Sequence, residues 1–371
     1  MNKMKILLAF TFLILVQIGF SQEDTVRLNE LRFLASHNSY KRKPDPKVIR
    51  FLSRFKKRLG GDLDPIQLDY GHLPIPVQLN DYNIRGFELD VYNDPKGGHY
   101  RKRRVNMFLS GRRQKIKNET MRQPGFKILH IADVDFETNY LTIEEAFSEL
   151  SQWSLTHPTH EPIFINIEAK GSSPGDYSGF LRFLGFKRAI PFDSIAVELL
   201  DQKIRKWFGT DSLLFSPKDL QGEYSSIKER LEDAGWPTLE EVRGKILFLY
   251  DSDHDGLYNL SLNNGEDKPM FAYGEIGGES TAFVMRNDPI GKEEEINELS
   301  RKYMVRTRTD AGSLEARAHD YTRYQAAMKS NAQIISTDYY EKDPEISDFQ
   351  IGLVEAGKIN SVPFILKTSF K

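Results

Sequence analysis

Two carboxylates, two positions apart in an apolar stretch, are the first chemically informative feature of the sequence. Glu88 and Asp90 lie in segment 84–92, whose β-branched and aromatic residues predict a strand. Because strand side chains alternate between faces, both carboxylates share one face and the apolar residues share the other. Neighbouring carboxylates on a buried strand repel each other and are costly to desolvate, and a bound cation would relieve both effects. Taken alone, the pattern also fits an edge strand with a solvated acidic face.

Eight segments of strand length could position such side chains. They span residues 32–36, 84–90, 126–131, 162–168, 245–250, 281–285, 303–308 and 333–337. Helical patterns separate most of them, at 46–59, 142–156, 192–208, 226–234, 293–302 and 313–329. This alternation predicts an α/β fold, a single-domain (β/α)8 barrel. An open doubly wound sheet is the alternative, but the sequence lacks the Gly-rich phosphate loop typical of that fold.

In a barrel of this kind, functional groups are expected at the carboxyl ends of the strands. Polar or charged residues do end six of the predicted strands. They are His37 and Asn38, Glu88 and Asp90, His130, Asn166 with Glu168 and Lys170, Arg306 with Arg308, and Ser336 to Asp338. Packing does not account for such residues at matching ends of so many strands. The sequence therefore predicts an active site at the mouth of the barrel.

The oxygen-bearing residues of this set suit a hard cation. Asn38, Glu88, Asp90 and Glu168 offer amide and carboxylate oxygens, which Ca2+ and Mg2+ prefer. The chain has no cysteine and no histidine spacing typical of a zinc site. Asn38 by itself would be interpreted as a turn-capping amide. With the three carboxylates it completes a set of oxygen donors that suits either Ca2+ or Mg2+.

The strand-end histidines and cations suit phosphoryl transfer. His37 and His130, out of eight histidines, each end a predicted strand on the same rim, where they could act as base and acid. Cationic side chains beside a metal stabilise charge on a phosphodiester. Lys170, Arg306 and Arg308 are accordingly predicted to contact substrate, and Asp338, at the end of the eighth predicted strand, is assigned to the same substrate-binding set. For the arginines, pairing with barrel carboxylates alone is the alternative.

Two charged loops have no assigned role. The stretch 251–256 resembles the front half of an EF-hand, but position 262 is leucine instead of the bidentate glutamate, so an acidic loop is expected. The basic loop 99–122 follows the second strand and lies on the predicted rim. It could meet an anionic membrane surface or remain a solvated loop.

Length, charge and the amino terminus indicate how the chain is organised. Of the 371 residues, 1–21 read as a signal peptide, with Lys3 and Lys5 before an apolar run and small residues at Gly19 and Ser21. The run is too short to span a membrane. Residues 22–371 would form the catalytic domain of a secreted or periplasmic monomer, with no transmembrane segment. A formal net charge of −2 gives no argument for nucleic-acid binding.

Several motifs resemble the calcium-dependent phosphatidylinositol-specific phospholipases C of bacteria. They are His37-Asn38-Ser39-Tyr40, residues 85–91, Leu129-His130, Ile167-Glu168-Ala169-Lys170, Gly235-Trp236-Pro237, residues 243–245, 306–311 and 332–339. The resemblance implies a distorted TIM barrel and one Ca2+ held by Asn38, Glu88, Asp90 and Glu168. It also implies that the expected partner is an inositol phospholipid at a membrane surface.

The resemblance further implies a mechanism, in which the inositol 2-hydroxyl attacks phosphorus and diacylglycerol leaves. His37 would stabilise the charged phosphorus centre or share the role of general base. His130 would protonate the leaving oxygen. Glu88 or Asp90 could also serve as the base. Eukaryotic relatives carry lysines at the end of strand five that grip ring phosphates. Here that strand ends in Leu249-Tyr250-Asp251, which favours an unphosphorylated headgroup.

Two other functions compete with this interpretation. A glycerophosphodiester phosphodiesterase also uses a barrel, two histidines and a Glu-x-Asp pair, but its first motif reads His-Arg-Gly where this chain has His37-Asn38-Ser39. A non-catalytic barrel that binds inositol lipids or glycans is the second. The presence of both histidines and of all four proposed ligands argues against it.

Overall fold

Eight parallel strands form the centre of the molecule. The computed structural model describes residues 26–59, 64–110, 114–115, 119–210, 212–252, 257–355, 358–360 and 362–367. Its strands are β1 (Leu31–Ser36), β2 (Gly86–Asp94), β3 (Lys102–Arg103), β4 (Gln114–Lys115), β5 (Gly125–Ile128), β6 (Ile163–Ala169), β7 (Ile246–Ser252), β8 (Met270–Ala272), β9 (Phe283–Met285), β10 (Met304–Arg308), β11 (Ile334–Thr337), β12 (Val354–Glu355), β13 (Lys358–Ile359) and β14 (Phe364–Leu366). The parallel strands follow the order β8-β7-β6-β2-β1-β11-β10-β9. A parallel bridge between Tyr273 and Phe283 joins the two ends, so the barrel is nearly closed.

Helices surround this barrel on the outside. They are α1 (Pro46–Leu59), α2 (Ile75–Asp81), α3 (Val105–Ser110), α4 (Ile143–Thr156), α5 (Pro174–Tyr177), α6 (Gly179–Phe183), α7 (Ser194–Ile204), α8 (Pro217–Gln221), α9 (Ile227–Asp233), α10 (Leu257–Asn263), α11 (Glu293–Lys302), α12 (Leu314–Ala318) and α13 (Thr322–Lys329). Five of them lie between β6 and β7, whereas residues 273–282 between β8 and β9 contain no helix. The predicted single-domain α/β barrel is confirmed, and this uneven distribution makes it a distorted TIM barrel.

Three details of the predicted elements are wrong. The segment predicted as the third barrel strand is β5, which runs antiparallel to β2 and lies outside the barrel order. The missing barrel strand is β8, which at three residues is too short to show a sequence period. The helix predicted over 313–329 is two helices, because His319 adopts a left-handed backbone with φ 51°.

Side chains on the barrel strands alternate between the interior and the helical layer. Phe33, Phe164 and Phe283 fill the interior, with ring centroids 5.2 Å apart for the first pair and 6.3 Å for the second. Toward the carboxyl ends of the strands the inward positions become polar. Those residues are His37, Glu88, Asp90, Asn166, Glu168, Asp251, Arg306, Arg308 and Asp338. The barrel interior is therefore apolar below and polar at its mouth, which is where the predicted site residues lie.

Two of the predictions fall outside the described residues. The proposed signal peptide lies within residues 1–25, and most of the EF-hand-like stretch lies within 253–256. In the part of the chain that the structure covers, no helix has both the length and the apolar character needed to cross a bilayer.

Candidate active site

Three carboxylates meet at the mouth of the barrel. The register of β2 on β6 pairs Glu88 with Asn166 and Asp90 with Glu168, so the acidic side chains of the two strands face each other. One carboxylate oxygen of each of Glu88, Asp90 and Glu168 lies within 4.8 Å of the others. Glu88 and Asp90 are buried and Glu168 is half-buried. Such a group of carboxylates can hold a divalent cation.

Unsatisfied oxygens show that these residues fit a cation. Among the described residues, Asn38 Oδ1 and Asp90 Oδ1 are buried and have neither a hydrogen bond nor an ion pair, whereas Asp90 Oδ2 is paired with Lys170. Buried polar atoms are normally paired, so these oxygens need a ligand that donates positive charge. Asn38 has a left-handed backbone, with φ 50°, and its Nδ2 donates to Tyr70 Oη at 2.7 Å. The amide oxygen is thereby left available.

Two cations of the chain also lie against the cluster. Lys170 Nζ is 2.6 Å from Glu168 Oε1 and 3.1 Å from Asp90 Oδ2. The Arg306 guanidinium donates to Glu88 Oε2 and, at 3.0 Å, to Asn287 Oδ1. Both residues were predicted to contact substrate. In the structure they are in place to share the negative charge of the carboxylates.

Burial and mutual repulsion govern the protonation of the carboxylates. Burial raises the pKa of Glu88 to about 7, although Arg306 opposes the shift. Burial, followed by the charge of Glu168, raises the pKa of Asp90 well above its usual value. Burial acts in the same direction on Glu168, but the Lys170 ammonium outweighs it and lowers the pKa of Glu168. The cluster therefore resists carrying three negative charges without a bound cation.

His37 is held by a buried carboxylate at the end of β1. Its Nδ1 lies 2.7 Å from Asp338 Oδ1, and Arg308 donates to Asp338 Oδ2 at 2.9 Å. The carboxylate favours a proton on Nδ1, which leaves Nε2 as an acceptor 3.7 Å from Glu88 Oε1. Burial, followed by Arg308 and Arg306, lowers the pKa of His37 well below its usual value. A neutral imidazole with Nε2 directed at the cluster can accept a proton.

His130 reaches the same site by a different route. β5 returns along β2, with Val91 opposite Ile128, and so brings the chain back to the level of Asp90. The Leu129 amide then donates to Asp90 O at 3.4 Å. His130 Nδ1 lies 2.7 Å from Asp135 Oδ2, and in the described chain its Nε2 has no protein partner. Burial lowers its pKa, and Asp135 only partly offsets this.

Sequence reasoning missed several residues of the site. Asp135 is buried, orients His130, and forms an ion pair with Lys41 at 3.3 Å. Tyr70 Oη bridges Asn38 and His37, at 2.7 Å and 3.2 Å. Asp135 and Tyr70 lie in irregular segments, where no period predicts which way a side chain points. The proximity of Asp135 to His130, five positions away, is the one available signal.

The predicted residues thus come together around one mouth. Asn38, Glu88, Asp90 and Glu168 supply oxygens; His37 and His130 stand beside them; and Lys170, Arg306, Arg308 and Asp338 are tied to those groups by the contacts above. Three clustered carboxylates, two carboxylate-paired histidines and adjacent cations are groups suited to the cleavage of a phosphodiester.

A family comparison identifies the kind of phosphodiesterase. The chain matches the family described as phosphoinositide phospholipase C, Ca2+-dependent, over residues 26–363. It belongs to that family, whose members are phosphoric diester hydrolases of the phosphatidylinositol-specific phospholipase C type. No curated protein sequence matches the chain.

Solved structures show the same fold at low sequence identity. The calcium-dependent phosphoinositol-specific phospholipase C of Pseudomonas sp., apo form, aligns with a TM-score of 0.50 at 12% identity, covering 86% of this chain and 92% of that one. The myo-inositol complex of the Pseudomonas protein aligns with a TM-score of 0.50 at 13% identity, covering 85% and 91%. A Ca2+-dependent enzyme from Streptomyces antibioticus aligns at 0.49 and 15% identity, covering 85% and 95%. At these identities the likeness to the two Pseudomonas structures concerns the fold alone.

Proposed function

We propose that the protein is a secreted, monomeric phospholipase C that cleaves phosphatidylinositol into diacylglycerol and a cyclic inositol phosphate. The observation that carries the proposal is the pair of histidines, each held at Nδ1 by a buried carboxylate, beside the three-carboxylate cluster. The family match supplies the reaction class.

One Ca2+ ion would be held by Asn38, Glu88, Asp90 and Glu168. The unsatisfied oxygens of Asn38 and Asp90 support this ligand set. When bound, the ion would lower the pKa of the inositol hydroxyl and offset charge on the phosphoryl oxygens. Mg2+ is the less favoured ion, because it demands near-ideal octahedral geometry and keeps most of its waters.

The chemical step forms one phosphorus–oxygen bond and breaks another. The inositol 2-hydroxyl oxygen attacks phosphorus, and the bond to the diacylglycerol oxygen breaks. The hydroxyl proton goes to a base, which is His37 Nε2, Glu88 or Asp90. His37 is supported by its neutral state and by the Asp338 contact that leaves Nε2 unprotonated. In the other two cases His37 steadies the phosphorus centre.

His130 would donate the proton that the leaving diacylglycerol oxygen needs. Its Nδ1 is occupied by Asp135, so the donor is Nε2, which has no protein partner in the described chain. Burial lowers the pKa of His130 in the free protein. The anionic phosphodiester beside the ring favours the protonated form, which restores its capacity as an acid.

The remaining cations would neutralise charge as phosphorus becomes five-coordinate. Arg308 is fixed by Asp338 and lies 3.4 Å from His37 Nε2, close to the path of the transferred proton. Arg306 and Lys170 hold Glu88, Asp90 and Glu168 in place. Asp338 would act indirectly, by orienting the imidazole of His37.

The inositol ring is expected to carry no additional phosphate. On this side of the mouth β7 presents Asp251 and not a cation, and Asp251 accepts from Asn166 Nδ2 at 3.2 Å. Burial is the main cause of the raised pKa of nearby Glu88, and the charges of Glu168 and Asp251 add to it. A further anion at this side of the mouth would repel these carboxylates.

Product analysis tests the function. Purified protein is incubated with vesicles of single phospholipids, and with glycerophosphoinositol as a water-soluble diester, in Ca2+ or in EDTA. We expect cyclic inositol phosphate and diacylglycerol from phosphatidylinositol, and only with Ca2+. Glycerol phosphate from the soluble diester alone would establish a glycerophosphodiesterase instead.

Alanine variants test the catalytic assignment. His37→Ala and His130→Ala should each lower kcat by about 10²-fold or more. His157→Ala is the matched control, because this exposed histidine stacks on Trp153 away from the mouth, with ring centroids 4.2 Å apart. Full activity in either mouth variant would exclude the acid–base assignment, and vesicle binding without hydrolysis by the unaltered protein would indicate the non-catalytic alternative.

Export and oligomeric state are tested separately. The start of the mature chain, proposed to be residue 22, is checked by amino-terminal sequencing of protein recovered outside the cytoplasm. Sedimentation velocity measures whether the protein is a monomer.

A further inference from the structure

Three aromatic side chains project into solvent beside the active-site mouth. They belong to the rim segment, residues 174–190, which contains α5 and α6. Tyr177 is 74% exposed, Phe180 68% and Phe183 86%. Isolated apolar residues are common on protein surfaces, but three large aromatics within seven positions form a patch that calls for a partner.

The rim segment is attached directly to the catalytic mouth. It follows β6, the strand that ends beside Glu168 and Lys170. Tyr92 Oη lies 3.4 Å from both Ser172 O and His130 O, and the Ser172 hydroxyl contacts Tyr177 Oη. Tyr177 is therefore connected to His130 through two intervening residues.

Packing holds the segment in place and directs the aromatics outward. Leu181 and Leu184 pack against the same apolar cluster as Phe186, which is buried. Gly175 lies so close to the chain that a Cβ there would be 2.4 Å from Lys187 O. The Asp176 carboxylate accepts from the Ala189 amide at 2.9 Å. Phe180 and Phe183 thus occupy the face of α6 that the core does not cover.

The charge around the aromatics is positive. The rim segment contains three basic residues, Arg182, Lys187 and Arg188, and one acidic residue, Asp176. Arg188 pairs with Asp176 at 2.7 Å but keeps 64% of its side chain exposed. The basic stretch 101–104 adjoins this surface, because Arg104 Nε donates to Gly185 O at 2.8 Å. Aromatic residues surrounded by basic ones fit the head-group region of an anionic bilayer.

We propose that the rim segment docks on an anionic lipid bilayer, with Tyr177, Phe180 and Phe183 inserted among the head groups. Docking by this segment places the mouth of the barrel against the surface in which a phospholipid substrate resides. The catalytic consequence rests on the proposed function. The docking does not, because it requires neither hydrolysis nor an inositol lipid.

Sedimentation with vesicles that contain no inositol lipid tests the docking itself. The exported protein, proposed to begin at residue 22, and its Phe180→Ser/Phe183→Ser variant are mixed with sucrose-loaded vesicles of phosphatidylcholine with phosphatidylglycerol. The double variant should partition about tenfold more weakly or worse, and added NaCl should weaken binding of the unaltered protein. Equal binding by the two proteins would overturn the proposal.

Leu155→Ser is the matched control. Leu155 is 51% exposed, yet it lies at the end of α4 that leads into the amino end of β6, opposite the mouth. Its variant should bind vesicles like the unaltered protein, and an equal loss of binding would overturn the proposal. Thermal unfolding checks that all variants fold. If the double variant instead dissociates a dimer and leaves vesicle binding unchanged, the face is an interface between copies and the proposal fails.

Hydrolysis on two forms of substrate separates docking from catalysis. On vesicles that contain phosphatidylinositol, the double variant should lose about tenfold in rate or more, whereas on a dispersed short-chain analogue it should match the unaltered protein. Equal losses on both substrates would contradict docking as the role of the aromatics. If the unaltered protein docks through these residues but hydrolyses neither substrate, docking stands and the proposed function fails.

Discussion

Asp135 is the residue on which the orientation of His130 depends. Its carboxylate is buried, lies 2.7 Å from His130 Nδ1, and is balanced by Lys41 Nζ at 3.3 Å. Burial opposes ionisation, but Lys41 and His130 outweigh it and hold the pKa of Asp135 below its usual value. The ionised carboxylate keeps the imidazole proton on Nδ1.

Asp135→Asn should therefore lower kcat more than it changes KM. An amide can donate to Nδ1 and shift the proton to Nε2, and a comparable change in another enzyme costs about 10⁴-fold. We expect a loss of about 10²-fold or more, with a changed tautomer in the 15N spectrum of His130. Glu137→Gln, whose carboxylate pairs with Arg103 at 3.0 Å in the same loop, is the control. A normal kcat in the asparagine variant would contradict the role.

For individual residues, the sequence predicts the direction of side chains on strands better than the direction of side chains on loops. The period of two on β2 and β6 places Glu88, Asp90 and Glu168 on one face, and the structure brings these carboxylates together. Asp135 lies in a turn closed by its own bridge to Ile131. A turn has no period, so its contribution to the site becomes visible only in three dimensions.

Among the elements, β5 shows why strand direction is harder to predict than strand position. Residues 125–128 have the apolar character of a barrel strand, but they run antiparallel to β2. The chain therefore reaches His130 from the solvent side of the mouth and not from the barrel interior. Hydrophobic pattern does not encode direction. The eight-strand count was nonetheless correct, because the wrongly included β5 replaced the unpredicted β8.

The strands β1 and β2 lie so close together at Gly86 that adding one methyl group there should destabilise the fold. These strands pair in register at Ala35 and Gly86, where a Cβ on Gly86 would lie 2.5 Å from Ala35 Cβ. Gly86→Ala should lower the free energy of unfolding by about 1–3 kcal/mol. Adding Ala35→Gly removes the clash and should recover part of the loss. Urea unfolding of the single and double variants measures this, and additive losses would refute the clash.

The helices α7 and α10 meet at a buried acid with a pH-dependent effect. Asp201 accepts from Tyr258 Oη at 2.8 Å and lies 3.4 Å from Lys268 Nζ. Burial raises the pKa of Asp201 from 3.8 to about 6, although Tyr258 and Lys268 oppose the shift. Between those values the folded protein retains a proton that the unfolded chain releases, so stability is lost as pH rises through this range.

Asp201→Asn should abolish this loss. Relative to the unaltered protein, the variant should gain about 3 kcal/mol in free energy of unfolding between about pH 4 and about pH 7. Urea unfolding across that range measures the difference. Glu198→Gln is the control, since its exposed carboxylate lies 3.8 Å from the same Lys268 Nζ. A constant difference between Asp201→Asn and the unaltered protein would contradict the interpretation.

For the molecule as a whole, a metal ion held by the carboxylate cluster would link metal binding to folding. Glu88, Asp90 and Glu168 come from two strands and repel each other only when the barrel is assembled. A ligand that binds the folded state alone stabilises it by about 2.7 kcal/mol at a hundredfold excess over Kd. Ca2+ should therefore raise Tm.

A thermal scan with Ca2+, Mg2+ or EDTA measures this effect. Ca2+ should raise Tm more than Mg2+ does, and Asp90→Asn should remove most of the rise, because Asp90 Oδ1 is the buried carboxylate oxygen of the cluster that has no partner. Asp267→Asn, a change at an exposed acid paired with Arg205 at 3.1 Å, should leave the rise intact. An unaltered Tm in Ca2+ would contradict the metal site.

The contact between His37 and Asp338 joins the first barrel strand to the last, across 301 positions of sequence. During synthesis, the chain therefore carries His37 long before its carboxylate partner has emerged. An unfinished chain lacks the aligned imidazole and is expected to be inert toward the lipids of the cell that makes it. Completion of the polypeptide itself would then act as the safeguard that restricts lipid cleavage to the finished enzyme.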